Sequence, residues 1–307
     1  MIWFDLIVFS LDDITSSIVI NWRTYNESLV RRGEIILDFD VIDNWNNELH
    51  RMNQGKEGAS YRYPNSFVQL LGYMRIYFHL PFRQTEGVVT AHAGKKAPSI
   101  PDYSTINRRV NKLDIKINER IGNDIVIVLD STGIKVTNRG EWLPHKWNVR
   151  KGYLKIHVAV DIKKKKIVSL DVTSEEVYYG SRLKELVDNA LENNTLERVI
   201  ADGAYDSNEN FQYLSNKNIE AAIKVRKNSS YDRTVGCIPR KRVVLNQLKN
   251  FERWKSKVKY GSRWMAETVF SSLKRAFGEY VSAKKFPNMV KETILKASLY
   301  NLFIIVK

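Results

Sequence analysis

Three carboxylates in this sequence have the spacing and surroundings of reactive groups. Asp130 ends the run Ile125-Val126-Ile127-Val128-Leu129, the most apolar in the chain, and Asp202 ends Arg198-Val199-Ile200-Ala201. A continuous apolar, β-branched run predicts a strand covered on both faces. The carboxyl ends of neighbouring strands in an open α/β sheet form the crevice where ligands bind, so adjacent strands would aim both side chains into one crevice. Glu267 lies four residues into a helical pattern that starts near Arg263 and runs through Phe277, and this helix can lie across the same edge. Three converging carboxylates repel one another and need a cation between them, and hard oxygen donors favour Mg²⁺ or Mn²⁺. Two such ions about 4 Å apart activate a water or a 3′-hydroxyl and stabilise the departing oxygen in phosphodiester cleavage. Taken singly, each residue has a plainer reading, because an Asp that ends a strand is commonly a turn former or a helix cap. Asp206 fits that description: it precedes a helix with Glu209 three residues on, the pattern of an N-cap with its capping-box partner. Asp161 and Asp171 read as turn and strand-surface residues.

The elements that would position these groups follow from periodicity. Leu154, Ile156, Val158 and Val160 alternate, residues 167–172 form another strand pattern, and Asp161 with the Lys163–Lys166 run reads as the hairpin turn between them. A helix over Ser181–Leu191, the strand ending at Asp202, a helix over Ser207–Lys217 and a strand over Glu220–Val225 come next. The pattern predicts an α/β domain over residues 121–307: a mixed five-stranded sheet flanked by helices, in the order found in ribonuclease H-like domains. Residues 1–115 read as helical. Tyr103, Ile106 and Val110 share one helix face, with Asn107, Arg108 and Arg109 on the other. A Gly/Pro-containing turn precedes them, so residues 81–113 resemble a helix-turn-helix with Arg108 and Arg109 toward DNA. On its own, a plain helical bundle with a solvated basic face is the simpler account.

Composition narrows the class of partner. The 307 residues carry 49 Lys and Arg against 34 Asp and Glu, a net charge of +15, which points to a polyanion and most often to nucleic acid. With 43% hydrophobic and 27% charged residues the chain is neither disordered nor fibrous. The single Cys237 excludes an internal disulfide and a Cys-cluster zinc site, and fits a reducing, cytoplasmic compartment. Met1–Leu11 is apolar but stops at Asp12 and lacks a positive n-region, and no run approaches the roughly 20 apolar residues of a membrane span, so no membrane partner is expected. Ile294–Lys307 reads as a packed terminal helix interrupted by Lys296, Ser298 and Asn301. A basic insertion over about 226–259, with Arg240, Lys241 and Arg242 at its centre, interleaves Tyr231, Phe251, Trp254 and Tyr260 among its cations. Such a mixture suits phosphate contact and stacking on unpaired bases, or else a solvated loop with a few core aromatics. Trp142, His145 and Trp147 are further possible DNA contacts, although a His beside tryptophans is more often structural.

The late helix reads Tyr260-x2-Arg263-x3-Glu267-x6-Lys274, and in this it resembles the signature of DDE transposases from bacterial and archaeal insertion sequences, an IS4-like group. Leu129-Asp130-Ser131-Thr132-Gly133 is similar to the family's first catalytic motif and Ala201-Asp202-Gly203-Ala204-Tyr205 to its second. Arg83-Gln84-Thr85-Glu86-Gly87 and Pro101-Asp102-Tyr103-Ser104-Thr105 are similar to its N-terminal region. The resemblance covers most of the chain. It implies a ribonuclease H-like core, Asp130, Asp202 and Glu267 as ligands of two Mg²⁺ or Mn²⁺ ions, and Tyr260, Arg263 and Lys274 as ligands of the DNA backbone. It implies cleavage at terminal inverted repeats, strand transfer to double-stranded target DNA, and a homodimer on that DNA. Arg263, Glu267 and Lys274 fall on one helix face, which suits a metal-binding carboxylate flanked by phosphate-binding cations. The rival readings are a catalytically inactive or co-opted DNA-binding protein and a ribonuclease H-like nuclease.

Overall fold

The computed structural model describes residues 21–117, 120–136, 152–174, 179–229 and 236–305. Met1–Leu11, Trp142, His145, Trp147 and Tyr231 lie outside them. Five helices come first: α1 (Trp22–Ile36), α2 (Trp45–Asn53), α3 (Asn65–Tyr77), α4 (Phe82–Ala93) and α5 (Tyr103–Val110). The strands β1 (Ile125–Val136), β2 (Tyr153–Asp161) and β3 (Ile167–Ser174) follow, then α6 (Leu183–Leu191), β4 (Leu196–Ala201), α7 (Asn208–Asn216) and β5 (Glu220–Ile223). The chain ends with α8 (Ile238–Lys249), α9 (Phe251–Lys257), α10 (Trp264–Phe277), the two-residue β6 (Tyr280–Val281) and α11 (Phe286–Ile305).

The strands line up as β3-β2-β1-β4-β5, with β1, β2 and β3 antiparallel and β4 and β5 parallel to β1. This is the ribonuclease H-like arrangement. Residue parity explains why the β1 sequence is apolar throughout. Val126 and Val128 pack into a cluster with α3, α10 and α11, whereas Ile125, Ile127 and Leu129 pack into a second cluster with α6 and α7. Both faces are covered, so alternation disappears.

The sheet is more continuous at Asp130 than its sequence predicts. Pairing with β4 stops at Leu129–Ala201, but β1 runs on beside β2 to the Lys135–Tyr153 pair and then joins β6 at Lys135–Tyr280. Asp130 is therefore inside β1, not at its end. The strand continues against β2 after its pairing with β4 has ended, and Asp130 is the first residue past that point.

The N-terminal helices share their core with the sheet. Phe67, Leu71 and Met74 of α3 belong to the same buried cluster as Val128, Leu273 and Leu299. The words Arg83–Gly87 and Pro101–Thr105 interlock α4 and α5: Tyr103 donates its backbone N–H to Glu86 at 2.8 Å, and the Arg83 guanidinium lies 4.5 Å from the Tyr103 ring centroid. Asp102 caps α5 by accepting from the N–H groups of Ser104 and Thr105, and these bonds, with the Ser104 hydroxyl, hold its carboxyl down at about 2. The polar interruptions of α11 are satisfied inside. Asn301 accepts from the Ile167 N–H at 2.9 Å and donates to the Ile167 carbonyl at 2.7 Å, and the Ser298 hydroxyl meets that of Tyr73 at 2.7 Å. Among the described residues no helix is long and apolar enough to cross a membrane.

Candidate active site

Parity puts Asp130 and Asp202 on the same face of the sheet, with Glu267 on the helix packed there, although Asp202 is not among the residues that line the cleft beside the other two. Asp130 follows Val126 and Val128 on the face of β1 that packs against α10. Asp202 stands one residue past Ala201, in step with Ile200 of the same cluster. Helix α10 buries Ala266, Val269, Phe270, Leu273 and Phe277 against that face, a stripe at helical spacing. Glu267, Ser271 and Lys274 lie beside the stripe, and together with Asp130, Ser131, Thr132, Phe270, Arg275 and Glu279 they line a cleft of about 530 Å³.

The pairings inside the cleft are specific. Arg263 closes a 3-10 turn (Tyr260–Arg263) just before α10. Its Nη2 lies 2.9 Å from Glu267 Oε1 and its Nη1 lies 3.7 Å from Asp130 Oδ2. Lys274 reaches across from α10 and donates to the Thr132 hydroxyl at 2.9 Å. Each aspartate ties one oxygen to the backbone: Asp130 Oδ1 accepts from the Ser131 N–H and Asp202 Oδ1 from the Ala204 N–H, both at 2.9 Å. Asp202 thus also heads a short 3-10 turn (Gly203–Tyr205), the plain structural role open to it.

Electrostatics follow from this crowding. Burial pushes the Asp130 carboxyl above its ordinary range, the Ser131 N–H and the Arg263 guanidinium pull it down, and the charges of Asp202 and Glu267 push it further up. The same two aspartates, added to burial and opposed by Arg263, raise the Tyr260 hydroxyl to about 12. Asp130 therefore sits within electrostatic reach of both other carboxylates. The donors are all carboxylate oxygens, which fits a hard divalent cation. Among the described residues no three His, Cys, Asp or Glu side chains stand close enough to enclose a metal ion as they are, and the Arg263 guanidinium lies between Asp130 and Glu267.

Other expected contacts have different surroundings. Asp206 is not a helix cap: α7 is capped by Ser207, which accepts from the Asn210 N–H, and the Asp206 side chain is fully buried. Its two oxygens take a forked pair from Arg240 at 2.7 and 3.0 Å, with a further N–H from Arg226. Burial pushes this carboxyl up, but the Arg240 and Arg226 bonds outweigh it and leave it below its ordinary value. Arg240 is thereby committed inward instead of facing a phosphate. Arg109 likewise donates to the Tyr63 carbonyl and Asn65 and lies 4.6 Å from the Tyr61 ring centroid, while Arg108 is exposed. In the basic segment, Lys241 is half-buried and Arg242 exposed on α8, a helix in a stretch whose sequence reads as a loop. Trp254 and Tyr260 are buried and pack with ring centroids 5.2 Å apart, so neither is placed to stack on a base. Asp161 forms the expected turn by accepting from the Lys164 N–H, yet it is buried.

Sequence reading missed Thr132, Ser271 and Arg275 as cleft residues. The helical spacing 263, 267, 271, 275 carries the signal for the latter two, whereas Thr132 emerges only once β1 is known to continue past Asp130.

Comparison with known proteins bears on the same region. Residues 122–302 match a family described as a transposase DDE domain, and residues 30–139 match another family of that description. Among solved structures, the chain is similar to the piggyBac transposase of a synaptic complex with hairpin DNA, at 10% identity over 91% of this chain and 74% of that one, with a TM-score of 0.37. It is similar to the Drosophila P element transposase of a strand transfer complex, at 11% identity over 86% and 70%, with a TM-score of 0.31. The Mos1 protein of a pre-cleavage transpososome gives 8% identity over 81% and 80%, with a TM-score of 0.24. Overlaps this loose leave the chemistry of the cleft to be argued from its own residues. The first family match spans Asp130, Asp202, Glu267 and the whole sheet that positions them, and on that match the chain belongs to the DDE transposase family.

Proposed function

We propose that this protein is an insertion-sequence transposase that binds the terminal inverted repeats of its own element, cleaves a strand at each end and joins the new 3′-hydroxyl to target DNA. The observation that carries the reading is the set around Asp130: a half-buried carboxyl, raised above its ordinary range, within electrostatic reach of Asp202, Glu267 and Arg263, in a cleft that Glu267 and Lys274 also line. Asp130, Asp202 and Glu267 would hold two Mg²⁺ or Mn²⁺ ions. Those ions, when bound, supply Lewis-acid activation of the attacking oxygen and stabilise the departing one. The chain's own groups orient the substrate. Lys274, steadied by Thr132, and Arg263 offer ammonium and forked guanidinium donors to backbone phosphates on either side of Glu267. Tyr260, buried against Trp254, anchors the first residue of the turn that ends with Arg263. Hydrolysis and strand transfer are both in-line displacements at phosphorus, so one site serves both. Two ends must meet, which favours a homodimer assembled on DNA in the cytoplasm, with exposed Arg108 and Arg242 adding phosphate contacts away from the cleft.

The test is a strand-transfer assay on end-containing and scrambled duplexes. Joined products from the end-containing duplex alone support the transposase. Cutting without end preference identifies a ribonuclease H-like nuclease, and binding without cutting identifies a catalytically inactive DNA-binding protein. Asp130→Asn, Asp202→Asn and Glu267→Gln should abolish cleavage and leave end binding intact, and unimpaired cleavage by Asp130→Asn would reject the assignment.

A further inference from the structure

We propose that Arg263 is the resident cation of the acidic cleft: it holds Asp130 and Glu267 until a divalent ion takes their oxygens, and only then turns to a DNA phosphate. The inference rests on the proposed metal-binding role of the three carboxylates. Its basis is the geometry of one guanidinium shared by two carboxylates on different elements, 2.9 Å from Glu267 and 3.7 Å from Asp130. Arg263 is held at this height by the 3-10 turn that ends with it, and Glu267 stands one helical turn further on, so the pairing needs no long reach. The Asp130 side chain is 16% exposed and that of Arg263 is 30% exposed, so the contact is partly screened and can open.

Lying 2.9 Å from Glu267 Oε1 and 3.7 Å from Asp130 Oδ2, the guanidinium stands in the space between the two carboxylates where a bridging divalent ion would sit, and two cations so close repel each other. The two occupants therefore compete for Asp130 and Glu267. While Arg263 is there, like charges in the cleft are partly neutralised and the site keeps its shape without metal. Once displaced, its five N–H donors are free and close to where a phosphate would enter. Metal binding and DNA binding then support each other through one side chain, and by linkage each must raise the affinity of the other by the same factor.

The experiment is a titration of the full chain with Mn²⁺ in the absence of DNA, following the electron paramagnetic resonance signal of free Mn²⁺, for the natural sequence, Arg263→Gln and Asp130→Asn. Arg263→Gln should bind Mn²⁺ about threefold to tenfold more tightly, the range that loss of a half-exposed competing ion pair allows. Asp130→Asn should bind it at least about tenfold more weakly. In parallel, the Arg263 Nε–H resonance of the natural chain, identified by its disappearance in Arg263→Gln, should shift when Mg²⁺ is added. The shift itself is read on the natural chain, and Arg263→Lys provides a second folded variant for the assignment. Equal or weaker Mn²⁺ binding by Arg263→Gln, or an Arg263 resonance indifferent to Mg²⁺, overturns the exchange while leaving the carboxylate site standing. Undiminished Mn²⁺ binding by Asp130→Asn removes the carboxylate site itself, and the exchange with it.

Discussion

Asp130, inside β1, and Asp206, just past the 3-10 turn that follows β4, both face an arginine, yet they sit in opposite electrostatic circumstances. Asp206 is fully buried, takes a forked pair from Arg240 and a backbone N–H from Arg226, and its carboxyl lies below its ordinary value. Asp130 meets Arg263 at the longer distance of 3.7 Å, shares that guanidinium with Glu267, and its carboxyl lies above its ordinary value. In the first pair the Nε and Nη2 donors of Arg240 are spent on structure, on Asp206 and the Ser229 hydroxyl. The second is short of positive charge, which is how a site behaves that must still accept a cation and a phosphate. An arginine near an aspartate is thus no guide to function until its remaining donors have been traced.

The largest effect expected from this contrast is on cleavage. Asp130→Asn should lower strand cleavage by about a thousandfold or more, because the amide cannot take an anionic ligand's part. The same substitution should leave thermal stability at pH 7 unchanged or higher. The folded carboxyl is raised, so its ionised form favours the unfolded chain at neutral pH, and the neutral amide removes that penalty. Thermal melts that fall by several degrees would show Asp130 to be a structural residue like Asp206.

Arg240→Ala is the mirror experiment. It leaves the Asp206 carboxylate buried without its forked partner, and should cost about 3 kcal/mol in chemical denaturation. Because the folded Asp206 carboxyl is depressed, the stability that this pair contributes is present above the ordinary carboxylate range and is lost as pH falls through the folded value. A variant as stable as the natural chain would mean the pair is dispensable and would return Arg240 to the pool of DNA contacts.

A further titratable group, buried on β2, gives a pH dependence of another origin than a paired one. His157 on β2 is fully buried, bonds the Thr173 hydroxyl at 3.0 Å, and burial followed by the charges of Arg182 and Lys155 pushes it down to about 4. Below pH 6.5 the unfolded chain takes up a proton that the folded one refuses until about pH 4, so stability should fall as pH drops through that window. At pH 5 the loss relative to pH 7 is about 2 kcal/mol. Denaturation midpoints of the natural chain and His157→Gln, compared at both values, should differ in their pH dependence by that amount. Parallel curves would mean that the ring is protonated in the folded state.

How much of this could be read from the sequence follows the same division. Apolar runs and strand-end aspartates made the sheet and its two central carboxylates legible, because burial on both faces leaves a run of β-branched residues that no loop would carry. The 263, 267, 274 spacing placed one helix face correctly. What was not legible is what depends on partners distant in the chain. The commitment of Arg240 to Asp206, the anchoring of Arg109 on Tyr63 and Asn65, and the Thr132–Lys274 bond join residues 34, 46 and 142 positions apart. The two-residue β6 has no pattern at all, and the continuation of β1 past Asp130 is set by antiparallel pairing with β2, not by its own small, polar residues.

The smallest effect separates open cations from committed ones on DNA. Lys274 lines the cleft and, among the described residues, donates to the Thr132 hydroxyl, whereas Arg240 is locked on a buried carboxylate. A cation that contacts a phosphate releases a counterion, so its loss should reduce the slope of log affinity against log salt by about 0.9 on duplex DNA. Lys274→Ala should show that reduction, measured by fluorescence anisotropy between low and moderate salt. Arg240→Ala, assayed where it remains folded, should leave the slope unchanged even if its stability has fallen. The ordering matters more than either value. If Arg240 lowers the slope and Lys274 does not, DNA runs over the α7–α8 face, away from the cleft, and the carboxylates at 130, 202 and 267 would have no substrate within reach.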